Sequence, residues 1–213
     1  MSVTVLTPAT PAPAAFRLTT LEAVMAEITL EDNIQFAESL LDQASAAIAR
    51  ECHTIFAQQA YREVQPTNYD TQRLLLRYRP LVSVSSVSHG GTVITDYRID
   101  SADGAILYRY GGWYISPWAA EDWTVDYIAG FIGPEQLTPP DPTGPTLRND
   151  AADLERACIE TIKVWFHERL VETRIEARTL GEQRIDYGVQ ARTVGMPALA
   201  KDLLKNWRRA VLA

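Results

Sequence analysis

Lysine is nearly missing from this sequence: 213 residues hold three lysines against seventeen arginines, with only three histidines and two cysteines. Each scarcity excludes something. Cys52 and Cys158 lie far apart, too few for the disulfide framework of a small secreted domain, so buried thiols are the expectation. His53, His89 and His167 fall in separate segments. "HERLV" (167–171) lacks the second histidine of a zinc-protease helix, and Cys52-His53 has no second ligand pair at metal spacing. No apolar run approaches the roughly 20 residues that span a bilayer. No basic residue precedes Arg17, so residues 1–16 lack the charged region of a secretory leader. A soluble protein without a membrane partner is expected. The net charge of −7 argues against a generic nucleic-acid binder held by phosphate contacts.

Catalytic patterns are missing too. The serines of "VSVSSVS" (82–88) alternate with valines, as on the solvated face of a half-buried strand, and no G-x-S-x-G elbow surrounds them. Gly90-Gly91 and Gly111-Gly112 suit hairpin turns; neither leads from strand into helix with a Lys-Ser/Thr. No catalytic residue, cofactor site or metal site emerges, and the chain is expected not to be an enzyme.

What is present is a 46% apolar composition, enough for one large domain or one domain with an appendage. Residues 1–18 read as a flexible Pro/Ala-rich arm, carried by "TPATPAPAA" (7–15). Residues 19–194 read as the body and 195–213 as a C-terminal helix. Thr20 is an N-cap for a short helix over 21–28. A longer helix is predicted over 31–52, because Leu30, Ile34, Ala37, Leu41, Ala44 and Ile48 share one stripe.

Between residues 59 and 131 the period shortens to that of strands, divided by turn chemistry at Asn68-Tyr69-Asp70, His89-Gly90-Gly91 and Asp103-Gly104. In "LVSVSSVS" (81–88), Val82 and Val84 share a face whereas Val87 falls on the other, which predicts a bulge or bend near Ser85-Ser86. "GPEQLTPPDPTGPTLRND" (133–150) holds five prolines and reads as a long exposed loop without regular structure. A helix is predicted over 153–178, with Leu154, Cys158, Ile162, Trp165 and Leu170 inward, and "QRIDYGVQA" (183–191) is a candidate strand.

Two segments carry interaction chemistry. The arginines and aromatics of 77–118 give a candidate subunit interface of Arg77, Arg79, Tyr108, Arg109, Trp113 and Trp118; hairpin packing across strands is the plainer reading of the aromatics. The terminal helix, from about Pro197 to Ala213, sets an apolar stripe of Leu199, Leu203, Trp207 and Val211 beside Lys201, Lys205, Arg208 and Arg209. That pattern fits a helix laid into a partner's groove. It also fits a helix packed on its own domain with cations at its C-terminal end.

In their order, three motifs resemble the head–tail connector proteins of tailed phages and gene transfer agents, the head-completion or adaptor family. "ASAAIARECHTIF" (44–56) is similar to that family's helix end. "LLLRYRPLVSVSSV" (74–87) is similar to its basic-Pro-Val-x-Ser-Val-x-Ser-Val strand, with Leu81 in place of the first valine and Ser83, Val84, Ser86 and Val87 matching. "WTVDYIAGF" (123–131), a Pro-rich loop and "DLERACIETIKVWF" (153–166) are similar to its Val-x-Tyr-x-Ala-Gly strand and following helix.

The resemblance implies an α+β fold, mainly an α-helical bundle with an inserted antiparallel β-region over 59–131. It implies a structural virion protein at the neck, made in the bacterial host cytoplasm. Such proteins form a ring with copies of themselves, usually twelvefold, which binds the portal, receives a tail or neck completion protein and passes the genome DNA without specific binding. It places portal docking on the C-terminal segment: Leu199, Leu203, Lys205, Trp207, Arg208, Arg209 and Val211. Two alternatives from other classes are a small cytosolic binding module or hydrolase, which needs an apolar pocket with convergent polar groups, and a DNA-packaging accessory protein, which needs a basic recognition surface.

Overall fold

The strand over Leu81–His89 shows how this sequence solves its parity problem. In the computed structural model it pairs antiparallel with the strand Trp123–Ala129, whose Trp123, Val125, Tyr127 and Ala129 are all buried. Their partners are His89, Val87, Val84 and Leu81, positions spaced by two, three and three. An unbroken strand keeps one face only at even spacing. The register shifts between Leu81 and Ser83 and again between Val84 and Ser86, so Val82 and Ser85 are each one residue extra. The second bulge is the one that the valine–serine pattern predicts; the first is not announced by it.

The structure describes residues 2–7, 16–28, 34–65, 72–109, 122–136, 144–175, 179–180, 183–184 and 195–208. It divides into two units, Met1–Phe16 with Thr54–Asp150 and Arg17–His53 with Ala151–Ala213.

The first unit is built of strands: β1 (Ser2–Thr7), β2 (Gln59–Gln65), β3 (Arg73–Leu75), β4 (Leu81–His89), β5 (Thr92–Val93), β6 (Tyr97–Ser101), β7 (Ile106–Arg109) and β8 (Trp123–Ala129). They form a five-stranded sheet in the order β1-β2-β8-β4-β5 and a three-stranded sheet in the order β3-β7-β6. All the pairings are antiparallel. Both sheets contribute to one core, Tyr61, Val87, Trp123, Val125 and Tyr127 from the larger and Leu74 and Leu107 from the smaller. The peptide bond between Arg79 and Pro80, which separates β3 from β4, is cis. Gly130 closes β8 at φ +112, where a Cβ would stand 2.5 Å from the Ala57 carbonyl oxygen. Only glycine fits so near a neighbouring backbone.

The second unit contains α1 (Leu21–Glu27), α2 (Ile34–Cys52), α4 (Ala152–Ile175) and α5 (Ala198–Leu203), with a short ladder of β9 (Thr179–Leu180) and β10 (Gln183–Arg184); α3 (Leu147–Asp150) ends the first unit. Thr20 caps α1, its Oγ1 accepting from the Ala23 N–H at 3.2 Å. Ala37, Leu41, Ala44 and Ile48 of the expected stripe are buried, whereas Ile34 is exposed and Leu30 lies outside the described residues. Leu154, Cys158 and Ile162 are buried on α4, and Trp165 is half-buried. Ser45 Oγ lies 3.7 Å from Cys158 Sγ, a close approach of α2 and α4 that small residues permit.

The mainly α-helical bundle with an inserted β-region is overturned. The fold is mixed: the β elements have a core of their own, and they include Ser2–Thr7, within the segment 1–18 expected to be an arm. Helix periods are long and conspicuous in a sequence, whereas strands of two to nine residues are not. The segment 133–150 is likewise not wholly irregular. Pro134–Gln136 forms a 3-10 turn and Leu147–Asp150 a helical one, with Leu147 buried; residues 137–143 lie outside the described residues, as does most of 1–18 beyond β1.

Candidate interaction surfaces

Among the described residues no three His, Cys, Asp or Glu side chains gather as metal ligands. His53 and His167 are exposed, and His89 is buried with its ring centroid 4.8 Å from that of Trp123. Burial pushes the Cys52 thiol up to about 11 and the Cys158 thiol up to about 12, so neither is a nucleophile near neutral pH.

The most unusual chemistry lies in the core of the first unit. β2 turns Gln59, Tyr61, Glu63 and Gln65 inward by its period of two, and all four are buried. The Glu63 carboxylate accepts from Tyr127 Oη at 2.7 Å, from the Arg77 backbone N–H at 2.8 Å and from Gln65 Nε2 at 2.7 Å. Gln65 Nε2 also donates to the Leu75 carbonyl at 2.7 Å. Burial pushes the Tyr127 hydroxyl well above its usual range, and the adjoining Glu63 charge adds to this, so Tyr127 stays a proton donor. A buried carboxylate with three donors is a satisfied one. Its effect is to pin the segment after β3. The Tyr78 N–H donates to Tyr127 Oη at 3.2 Å, and the Tyr78 ring stacks on Tyr61 with centroids 4.1 Å apart.

That pinned segment carries two predicted interface residues. Arg77 is exposed, its guanidinium 5.9 Å from the Tyr78 ring centroid, and Arg79 is half-buried. Tyr108 and Arg109 stand next to each other on β7 and so face opposite sides of the small sheet. Tyr108 lies on the outer side, half-buried, under the Arg98 guanidinium at 4.8 Å and paired across the strands with Arg73 and Arg98. Leu75, 61% exposed, extends this outer face. Arg109 is occupied internally: its Nε donates to both Asp96 oxygens at 3.0 Å, and its guanidinium lies 5.5 Å from the Trp123 ring centroid. Trp113 and Trp118 lie outside the described residues. The sequence reading missed Arg73, Leu75, Arg98 and Glu63. Alternation along β3 and β6 carries a signal for the first three; nothing local distinguishes Glu63 from a solvent-facing glutamate.

The C-terminal segment differs from the predicted helix. α5 ends at Leu203 rather than continuing to 213, its cap Leu204 donating to the Ala200 and Asp202 carbonyls. Its buried positions are Ala200 and Leu204, one residue out of phase with the predicted stripe. Leu199 is consequently 55% exposed, Leu203 and Trp207 are half-buried, and Arg209 and Val211 lie outside the described residues. Lys205 pairs with Asp202 at 2.8 Å, and Arg208 pairs with Glu51 of α2 at 2.6 Å. Lys201 and Leu199 face solvent on this element.

No protein-family model matches the chain, and no curated protein matches it. Solved structures do. A chain from the neck of an empty GTA particle, computed with C6 symmetry, is 16% identical with a TM-score of 0.53. One from the neck of the native particle, computed with C12 symmetry, is 15% identical with a TM-score of 0.53. A third, from the virion of the native gene transfer agent (GTA) particle, is 14% identical with a TM-score of 0.55. In each case 100% of this chain and 98% of the other are covered. The chain shares its fold with these neck and virion chains. The likeness runs over both units of this chain.

Proposed function

We propose that this chain is a structural subunit of the neck of a tailed phage or gene transfer agent particle, a non-enzymatic adaptor that assembles with copies of itself into a ring between portal and tail. The observation that carries this reading is the end-to-end match in fold to neck chains, 100% of this chain against 98% of theirs. Three features support it. The exposed face of the small sheet carries tyrosine and arginine, which are enriched at interface hot spots, beside an exposed leucine. The pinned Arg77–Arg79 segment presents its side chains from a fixed backbone, which lowers the entropy lost on association. A net charge of −7 disfavours tight binding of DNA passing through a channel.

In this proposal Arg77, Arg79 and Tyr108 belong to the contact between neighbouring copies, and the exposed side of α5, with Leu199 and Lys201, meets the portal. The test is the mass of the purified protein by light scattering, alone and with a portal ring, with electron microscopy of the product. A ring that joins the portal ring is expected. A monomer that remains monomeric in the presence of the portal ring overturns the proposal.

A further inference from the structure

We propose that the outer face of the small sheet, centred on Tyr108 between Arg73 and Arg98, docks head to tail on acidic side chains of a second copy of this chain. The inference rests on the ring reading above and adds the polarity and the chemistry of the contact between copies.

The face is built by register. β7 lies between β3 and β6, and Tyr108 stands opposite Arg73 on one side and Arg98 on the other. Leu75 opposite Ile106 forms the next row. Leu74 and Leu107, one position along, are buried, so alternation commits these residues to the outer side. The side chains of Arg73 and Arg98 are 68% and 71% exposed. Tyr108 between them is held in place, its hydroxyl donating to Gln72 Oε1 at 3.0 Å and its ring centroid 4.8 Å from the Arg98 guanidinium. A hollow of about 390 Å³ opens beside it, lined by Asp96, Tyr97, Arg98 and Tyr108. An aromatic anchor flanked by two guanidiniums suits carboxylates, which arginine holds through two parallel bonds.

One carboxylate of the chain itself already sits there. The register of β6 shifts between Ile99 and Ser101, so Asp100 is the extra residue, and its carboxylate lies 3.1 Å from Arg73 and 3.9 Å from Arg98. At 3.9 Å Arg98 is beyond hydrogen-bond reach of it, so the N–H donors of Arg98 remain for an incoming carboxylate. Asp96, on the rim of the hollow, is held by Arg109.

Charge decides both the occupant and the polarity. The chain carries a net −7, so a second copy offers carboxylates in excess over the rest of its surface. The face repels its own image, because two copies meeting through the same patch would set arginine against arginine. The contact therefore joins two different surfaces of identical subunits. Such a heterologous contact is the kind that closes into a ring when the rotation allows.

The test compares the wild type, R73E/R98E and D100N by thermal melting and by light scattering over a range of protein and NaCl concentrations, with and without portal rings. The wild type is expected to exceed the mass of a dimer and to lose mass as salt rises. R73E/R98E is expected to keep its melting temperature and to lose self-association. D100N removes the internal competitor of the incoming carboxylate and should associate about two- to five-fold more tightly. R73E/R98E that self-assembles like the wild type overturns the proposal and leaves the ring reading intact; if it also fails to join portal rings, the face belongs to the portal. Should R73E/R98E melt well below the wild type, D100N decides, and association that is unchanged or weakened overturns the proposal. A wild type that stops at a dimer overturns the head-to-tail contact. A wild type that stays monomeric even with portal rings overturns this proposal and the ring reading together.

Discussion

At the residue scale, Glu63 carries the sharpest expectations. Its two oxygens receive three donors, and none of these is replaceable by rotation. In Glu63→Gln an amide N–H₂ must occupy one oxygen position. If it faces Gln65 Nε2, two donors meet; if the Gln65 amide turns over to relieve this, the bond to the Leu75 carbonyl is lost. One buried bond is therefore unmade either way, a loss of about 1–3 kcal/mol that urea unfolding measures. Asp126 gives the expectation in pH. Its hydrogen bonds from Arg62, both at 2.8 Å, hold its carboxyl below the ordinary 3.8, with the Ser86 hydroxyl adding to this against the opposing effect of burial. A carboxyl depressed by folding contributes stability above its unfolded value and loses it as pH falls through the folded one. The stability gap between the wild type and Asp126→Asn should be full at pH 6, begin to narrow below about pH 4 and vanish only as pH falls through the lower folded value. A gap as wide at pH 3 as at pH 6 contradicts the role given to the Arg62 pair. Neither role was legible in the sequence: that Glu63 is buried and Asp126 lies across from Arg62 depends on register, which two bulges in β4 and unbroken pairing in β2 determine.

At the element scale, the bulges of β4 make a prediction that runs against intuition. Ser85 is the extra residue of the second bulge, so removing it leaves Val84 and Val87 two apart and on one face without any bulge. Deletion of Ser85 should keep the same inward set, at a cost of about 1–2 kcal/mol for lost local twist. Deletion of Ser88 should be far worse. No bulge lies between Val87 and His89, so the residue opposite Trp123 is turned to the wrong face. Thermal melts of the two deletions rank them directly, and equal melting temperatures contradict the register. Elements differed in legibility for physical reasons. α2 and α4 were readable because their stripes repeat over several turns, and Thr20 was readable as a cap. β1 was not, because "SVTVLT" runs straight into Pro/Ala-rich sequence and pairs with residues far along the chain. α5 was readable as a helix but not in phase. A six-residue helix takes its buried side from the partner it packs on, and a period of four over so short a span does not fix the face.

At the scale of the whole molecule, the question is which surfaces remain for partners once each unit has satisfied itself. The C-terminal segment engages part of its predicted docking chemistry internally: Arg208 holds Glu51 and Lys205 holds Asp202, while its buried leucine is Leu204, outside the predicted set. Truncation of the whole segment is consequently a poor probe of docking, since it removes core packing together with any docking surface. Point changes separate the two. Leu204→Ala should lower stability by about 2–5 kcal/mol, as expected for a buried leucine. Leu199→Asp with Lys201→Glu should alter stability by no more than about 0.5 kcal/mol each, as at other exposed positions. If the exposed side of α5 meets the portal, this double variant keeps the melting temperature and the self-assembled mass of the wild type but loses association with portal rings. The replaced leucine removes apolar contact, and the reversed charge repels whatever carboxylates a cationic flank would meet. Wild-type portal binding by the double variant would move the docking surface away from α5 without disturbing the ring. Loss of self-assembly would instead make this side of α5 part of the contact between copies.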